Sequence, residues 1–449
     1  MSSEGMGIGR VEDRVVFVEQ AVPGDVVDAL ESKKRSKFSM ASIRELKTKS
    51  ELRVDPFCDH FGLCGGCKWQ FLPYEEQLKF KQQIVEDAFK RIAKVEPKVI
   101  HPILEAPSDR RYRNKMEFTF SNKRWLTQDQ IDSGEEFNRN GLGFHIKGFF
   151  DKVVHIEECH LQKEPSNAIR NAIGDYANEK GIEYFDLREQ TGILRNLFIK
   201  ITEQGEILVL LSVAKWNDDV EALLEHIKSE FPEVTSLQYV VNDKRNDTIY
   251  DLECKVFHGS EHIHEQLGDF KFKIGPKSFF QTNSQQAGRL YARAKEMANL
   301  NEDTLLYDLY TGVGSIGIYM SDRCKTVVGL ETIPEAIEDA KWNAKLNNLD
   351  QCHFYAGDVK DLLTNDLIKK HGKPDVLITD PPRAGMHQDV VQMLLDLEIS
   401  RLVYISCNPA TQARDIQLLH EKYELDEIQA VDMFPQTTHI ENIACLTLR

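Results

Sequence analysis

From about residue 271 the chain alternates short apolar runs with amphipathic stretches. The runs are LLYDLY (305–310), TVVGLE (326–331), CHFYAGD (352–358), VLITDPP (376–382) and RLVYIS (401–406), and helical spacing such as PEAIEDAKWNAKLN lies between them. Apolar strands alternating with helices indicate a parallel sheet covered on both faces, an α/β fold of the Rossmann-like kind. The front of the chain has another texture. Val15–Val18 reads as a strand, Pro23-Gly24-Asp25 as a turn and Val26–Leu30 as the next strand, which suggests a small β-barrel of the oligonucleotide-binding kind. The run before Gly7 is too short for a first strand, so the barrel is expected to be incomplete at its start. Leu78, Ile84, Val85, Ala88, Phe89 and Ile92 share one side of a predicted helix over 74–92. Between about 106 and 270, MEFTFS, NLFIKIT and ILVLLSVA are strands mixed with helices, an α+β region. The expected division is a barrel over 1–50, a central α+β domain over 51–270 and an α/β domain over 271–449, with the helix 74–92 packing on the last.

Charge complicates any nucleic-acid reading. The chain carries 72 acidic and 56 basic residues, a net charge of -16, so no general basic field draws it to phosphate. Binding depends on where the cations sit, and two clusters stand out. One is Lys33, Lys34, Arg35 and Lys37, followed by Arg44, Lys47 and Lys49; the other is Arg110, Arg111, Arg113 and Lys115, followed by Lys123 and Arg124. On pattern alone each cluster is as well read as a solvated face. No stretch has the apolar length of a membrane span and the start MSSEGMGIGR has no export pattern, so a cytoplasmic location is expected, with no membrane and no protein partner implied.

The candidate cofactor crevice lies at the strand ends. DLYTGVGSIG (308–317) is a strand, a turn with Gly312 and Gly314, and a helix start; Glu331, Asp358 and Asp380 close the next strands. Carboxylates at successive strand ends face the crevice where open α/β sheets bind ligands. Taken singly, each acid reads more readily as a helix cap, and it is their standing in register that favours the crevice. The chain has no GKS/T phosphate loop, and acidic partners suit a sulfonium cation, so S-adenosylmethionine fits better than a phosphate-bearing cofactor.

Two further groups carry chemistry. Cys407 follows RLVYIS directly in SCNPAT, and Glu441 stands in HIENIACL near the last strand. Near the front, Cys58, Cys64 and Cys67 have C-x5-C-x2-C spacing among Gly62, Gly65 and Gly66, and Cys159 in HIEECHLQ is the nearest fourth ligand. A zinc site usually shows two short cysteine pairs, and only one is present, so an iron–sulfur site is preferred on spacing, with zinc as the alternative. Cys254, Cys324, Cys352 and Cys445 read as small buried hydrophobes.

FFQTN (279–283), DLYTGVG, DPPRAG, SCNPAT and HIEN occur together and in this order. The combination resembles the uridine-5 methyltransferase family of tRNA and ribosomal RNA enzymes, and residues 7–50 resemble the TRAM RNA-binding module found in front of several RNA-modifying enzymes. The resemblance implies that Gln281, Tyr310, Glu331 and Asp380 contact the cofactor, with Gly312, Gly314 and Asp358 in the same site, that Cys407 is the nucleophile and that Glu441 accepts the proton. Thr311 and Ser315 depart from the Cys or Asn often found there in the family, and Arg383 takes the place where amino-methyltransferases have an aromatic residue. The cysteine spacing is similar to the 4Fe-4S motif of one branch, which implies a cluster on Cys58, Cys64, Cys67 and Cys159, a structural or RNA-positioning role for it, and 23S rRNA rather than tRNA as substrate. The implied chemistry is addition of a cysteine to carbon 6 of a uridine, methylation at carbon 5, then proton removal by a carboxylate. A non-catalytic RNA-binding assembly factor on the same scaffold is the alternative from another class. It gives no reason for Cys407 and Glu441 to stand in these motifs.

Overall fold

Strands that are apolar on both faces must be covered on both, and the carboxyl-terminal half is built that way. In the computed structural model, which describes residues 1–449, an eight-stranded sheet runs in the order Cys352–Ala356, Thr326–Glu331, Leu305–Leu309, Val376–Thr379, Arg401–Ser406, Glu441–Leu448, Tyr423–Val431 and Val99–Leu104. The first five strands are mutually parallel, and Glu441–Leu448 runs antiparallel between its two neighbours. Leu306, Ile378, Val403 and Ile443 enter one core, whereas Tyr307, Leu377, Leu402 and Ala444 enter the other. This alternation follows from the two-residue period of a strand.

The eighth strand comes from far upstream. Val99–Leu104 pairs in parallel with Tyr423–Val431, although it lies in the stretch expected to be central domain. The helix Tyr74–Ala88 precedes it, and Val85, Ala88 and Phe89 are buried in the core on that face of the sheet. Lys81 of this helix and Asp432 form a fully buried ion pair at 2.6 Å. The strand Val99–Leu104 had no sequence signal tying it to the catalytic half, because its pairing joins residues more than 300 positions apart.

A seven-stranded sheet forms the central region, in the order Cys254–Gly259, Val234–Val241, Ile207–Val213, Leu194–Ile201, Lys115–Ser121, Gly141–His145 and Val153–His155. The helices Ser166–Lys180 and Asp218–Glu230 cover one face through Ile169, Ile173, Leu223 and Ile227. Phe198, Leu208, Leu210 and Val240 turn the other way and join the core of the carboxyl-terminal domain. The hairpin Ile263–Leu267 and Phe270–Ile274 fills the junction. In front of both stands a four-stranded sheet, Gly7–Val11, Arg14–Glu19, Val26–Lys34 and Phe38–Thr48, with a core as small as Val18, Ala21 and Ala41. No helix of the chain is long and apolar enough to cross a membrane.

Candidate active site

The parallel strands end along one edge, and register decides what meets there. Arg401–Ser406 pairs with Glu441–Leu448 so that Ile405 opposes Ile443 and Ser406 opposes Asn442. One step further along the same pair, Cys407 falls beside Glu441. Leu309 pairs with both Leu330 and Thr379, and Thr379 with Tyr404. Tyr310, Glu331, Asp380 and Cys407 therefore leave the sheet at the same edge.

Cys407 is followed at once by a well-started helix. Asn408 accepts from the Ala410 N–H at 3.2 Å and Pro409 occupies the first turn of Pro409–Leu419. Burial pushes the Cys407 thiol up to about 11, and the carboxylates of Glu441 and Asp380 push the same way while Arg383 opposes them. Burial and the Asp380 charge together hold Glu441 well above the ordinary carboxylate range, again with Arg383 pulling it down. Arg383 is thus the one cation acting on both groups. Its guanidinium lies 3.1 Å from Nδ1 of His439, and its backbone carbonyl accepts from Asn408 and Thr411. The sequence reading gave Arg383 only a negative role, as the absence of an aromatic residue.

Two carboxylates of the crevice, Asp308 and Asp380, have no cation of their own. Burial, with Asp308 nearby, raises Asp380 to about 7. Asp308 is itself raised to about 7 by burial, against the hydrogen bonds from the Thr311 hydroxyl and from the Gly317 N–H at 2.9 Å. Its second oxygen is buried without a partner. A group that brings positive charge here would relieve desolvated acids, whereas an anion would add to the repulsion. A sulfonium cofactor fits these residues.

The glycine turn is shaped for close approach. Tyr310, Gly312 and Gly314 have φ of 63°, 56° and 81°, all left-handed. A Cβ on Gly314 would meet Ala340, Ile318 and Phe354, each at 3.1 Å. Glu331 accepts from the N–H groups of Gly312 at 3.1 Å and Ile333 at 3.0 Å, which fixes it at the mouth of the turn beside the exposed Ile333 side chain. Asp358 follows the end of the strand Cys352–Ala356 at the same edge, and its charge acts on Tyr310. It is exposed, caps the helix Val359–Leu362 through the Lys360 N–H at 3.1 Å and pairs with the Lys360 ammonium at 3.3 Å, contacts that hold its carboxyl low.

Gln281 sits in a loop fastened from three sides. Asn114 of the central region donates to the Gln281 carbonyl at 2.9 Å, buried Lys200 donates to the carbonyls of Gly275 and Ser278, and Asn283 donates to the Met433 carbonyl at 2.9 Å. The last bond ties this loop to the segment 432–440 that leads into Glu441. Phe279, two residues before Gln281, leaves its ring 70% exposed. Its motif was visible in the sequence, but nothing there distinguished an outward ring from a buried one.

The four front cysteines are half-buried free thiols, near enough for their charges to act on one another. Burial raises all four, Cys58 to about 11 and Cys67 to about 12, and the charges of Cys64 and Cys159 push the others further up. Backbone N–H groups point at the sulfurs of Cys58, Cys64 and Cys159. No three His, Cys, Asp or Glu side chains of the chain are gathered tightly enough to hold one metal ion, so the expected metal centre is not assembled as a single-ion site. The donor chemistry nevertheless suits a thiolate-bound group, since four desolvated thiols ionise only against positive charge.

Residues 204–449 match the family model described as tRNA (uracil-5-)-methyltransferase, and residues 1–43 match the TRAM domain. An uncharacterized RNA methyltransferase of Bacteroides thetaiotaomicron is 52% identical over 100% of both chains, and one of Porphyromonas gingivalis is 49% identical over 99% of this chain and 98% of its own. The crystal structure of the Pyrococcus abyssi tRNA (uracil-54, C5)-methyltransferase, in complex with S-adenosyl-L-homocysteine, aligns with a TM-score of 0.77 and 30% identity over 99% of this chain and 98% of that one. The chain belongs to the tRNA (uracil-5-)-methyltransferase family and is an S-adenosylmethionine-dependent RNA methyltransferase with a TRAM domain at its amino terminus.

Proposed function

We propose that this protein methylates carbon 5 of a uridine in RNA, with Cys407 as nucleophile and Glu441 as proton acceptor. The observation that carries the reading is the strand register that sets Cys407 beside Glu441, at the edge where Asp380 and Glu331 also end. S-adenosylmethionine, when bound, supplies an electrophilic methyl group and a positive sulfur. Asp380 and Glu331 would hold it, with Tyr310, Gly312, Gly314, Asp358 and Gln281 around it. Cys407 gives its thiol proton to water and adds as thiolate to carbon 6 of the uracil, and the electron pair displaced from the ring double bond makes carbon 5 nucleophilic. Carbon 5 would then take the methyl group, the bond from that methyl to sulfur breaking as the new carbon–carbon bond forms. Glu441 then takes the carbon 5 proton, the double bond reforms and Cys407 departs as thiolate. Arg383 favours the ionised forms that both groups need, since it opposes the rise of each. The exposed ring of Phe279 offers a stacking face for the uridine or its neighbour.

The substrate we propose is 23S rRNA, with a 4Fe-4S cluster on Cys58, Cys64, Cys67 and Cys159. These four thiols would hold it as thiolates, and it would supply the positive charge that four desolvated thiolates need. A second reading, tRNA, draws on the whole-chain likeness to the Pyrococcus abyssi enzyme named for uracil 54 of tRNA. The test is transfer of labelled methyl to unmodified 23S rRNA and unmodified tRNA, with Cys407→Ala as control. Label in 5-methyluridine of 23S rRNA supports the first reading, and label in tRNA alone the second. Label that persists in Cys407→Ala refutes the mechanism.

A further inference from the structure

The central sheet ends in an edge whose side chains neither the catalytic site nor its family motifs account for. The loop between Gly141–His145 and Val153–His155 closes tightly, with the Ile146 N–H on the Lys152 carbonyl at 3.1 Å and the Phe149 N–H on the Ile146 carbonyl at 3.2 Å. It pushes two phenyl rings outward, Phe149 at 41% and Phe150 at 65% exposure. Trp125 comes alongside because its N–H bonds the Val153 carbonyl at 2.8 Å, which brings its ring 5.4 Å from that of Phe149. The Lys152 ammonium lies over both rings, 5.1 Å from Trp125 and 4.7 Å from Phe149. The Arg188 guanidinium lies 5.3 Å from the Phe150 ring.

Asp151 and Asp186 are turned inward and paired, the first with Arg188 and Lys123 and the second with Lys123. The rings themselves are flanked by the Lys152 and Arg188 cations, while Asp129, Asp132, Glu135 and Glu136 stand exposed on the segment that follows Trp125. Large apolar rings are costly to leave in water, and rings interleaved with Lys and Arg match the two components of a single-stranded nucleic acid, stacked bases and phosphate. The edge is also joined to both RNA-facing parts of the protein. Lys147 pairs with Glu19 of the TRAM sheet at 2.6 Å. The strand Val153–His155 leads on to His160 and Leu161, whose carbonyls accept from Arg111 and Arg113, and Asn114 next to them holds the loop of Gln281.

We propose that Trp125, Phe149, Phe150 and Lys152 form a stacking platform for unpaired nucleotides of the RNA substrate, outside the methylation site. This rests on the reading of the protein as an enzyme acting on RNA. A short single strand flanking the target uridine stacks on the rings, and Lys152 meets its backbone. The bases are recognised by their faces, so the platform sets affinity and RNA path more than sequence.

The test uses the full-length protein, a fluorescein-labelled single-stranded adenosine–uridine 12-mer, and unmodified 23S rRNA and tRNA transcripts. Each stacked base is worth roughly 5- to 100-fold in binding, so Phe149→Ala/Phe150→Ala is expected to weaken 12-mer binding by about that factor. Trp125→Phe keeps most of the affinity and Trp125→Ala does not. Lys152→Ala lowers the salt dependence of binding by about one counterion. All variants should bind S-adenosylhomocysteine like the parent, which shows that they are folded. Variants that bind the 12-mer within twofold of the parent overturn the platform, even where the parent methylates RNA. A parent that methylates neither transcript overturns the functional reading itself. Capture of a protein partner by the patch, with RNA binding unchanged, also overturns the platform.

Discussion

The backbone N–H of Lys68 donates to the carbonyl of Gln436 at 2.8 Å, and the Trp69 N–H to the same oxygen at 3.1 Å. Lys68 directly follows Cys67, and Gln436 lies in the segment that leads into Glu441. The cysteine loop is therefore bonded to the segment that positions the proposed base. Gln436 has a left-handed backbone, φ 67°, and is held further by a two-way bond to the Gln77 side chain at 2.9 and 3.0 Å and by Asp109 at 3.0 Å. Tyr112 adds a bond to the Pro435 carbonyl at 2.9 Å. The loop is thus part of the wall behind Glu441.

Gln77→Leu removes both bonds between Gln77 and Gln436 at a buried position. Each buried polar group left unpaired costs about 1–3 kcal/mol, so the variant should lose roughly 2–5 kcal/mol in denaturant unfolding. Methyl transfer should fall further than S-adenosylhomocysteine binding, because the damage lies on the Glu441 side. Equal loss of both would place the segment outside catalysis.

Lys81 and Asp432 are each fully buried and 2.6 Å apart. Breaking such a pair leaves one charge without its partner and costs about 3–5 kcal/mol. Lys81→Ala should show this by chemical denaturation, and Lys81→Met/Asp432→Leu should recover much of it. A neutral Lys81→Ala would mean that the helix Tyr74–Ala88 contributes little to the sheet it covers.

Much of the catalytic half was legible because its signals are local. A parallel strand buried on both faces reads as an apolar run, and acids at strand ends mark the crevice. Tyr310, Glu331, Asp358 and Asp380 all follow strand ends at that edge, and Asp358 caps a helix as well. Val99–Leu104 could not be assigned from pattern, since a strand does not encode which distant strand it will join. The exposure of Phe279, Phe149 and Phe150 was hidden for a related reason, as identity alone does not say which way a ring turns. Arg383 was visible, but its effect on Cys407 and Glu441 exists only once two strands are in register.

Asp308 and Asp380 take up protons as pH falls through about 7. Below that pH the crevice loses the charge that attracts a sulfonium. Affinity for S-adenosylmethionine should therefore drop by up to roughly tenfold per pH unit below about 7, while affinity for neutral-sulfur S-adenosylhomocysteine changes less. Both groups lie above their unfolded values, so their ionisation penalises the empty protein as pH rises from about 4 to 7. Stabilisation by bound S-adenosylmethionine should accordingly be larger at pH 8 than at pH 6. Calorimetry at the two pH values checks both statements, and a pH-independent ratio of the two ligands would contradict them.

Gly314 has φ 81° and neighbours at 3.1 Å on three sides of a would-be Cβ. Gly314→Ala should cost about 1–3 kcal/mol in stability, from backbone strain and crowding together. It should also weaken cofactor binding, because the turn over which the cofactor lies must shift. Wild-type affinity in this variant would show that the turn tolerates a side chain.

Glu441→Gln separates the two halves of the proposed reaction. The cysteine can still add and the methyl group still transfer, but carbon 5 keeps its proton. A methylated, covalent protein–RNA complex should accumulate that the parent does not retain. Full turnover by this variant would remove Glu441 from the mechanism.

The most direct test of the central claim is trapping with 5-fluorouridine. Fluorine at carbon 5 cannot leave as a proton does, so addition and methylation go forward and elimination stops. Incubated with S-adenosylmethionine and 23S rRNA or tRNA containing 5-fluorouridine, the protein should form a denaturation-resistant adduct. Peptide mass spectrometry should find the methylated nucleotide on Cys407, and Cys407→Ala should give none. An adduct on another residue, or 5-methyluridine formed from ordinary RNA with no adduct from the fluorinated one, would contradict covalent catalysis by Cys407.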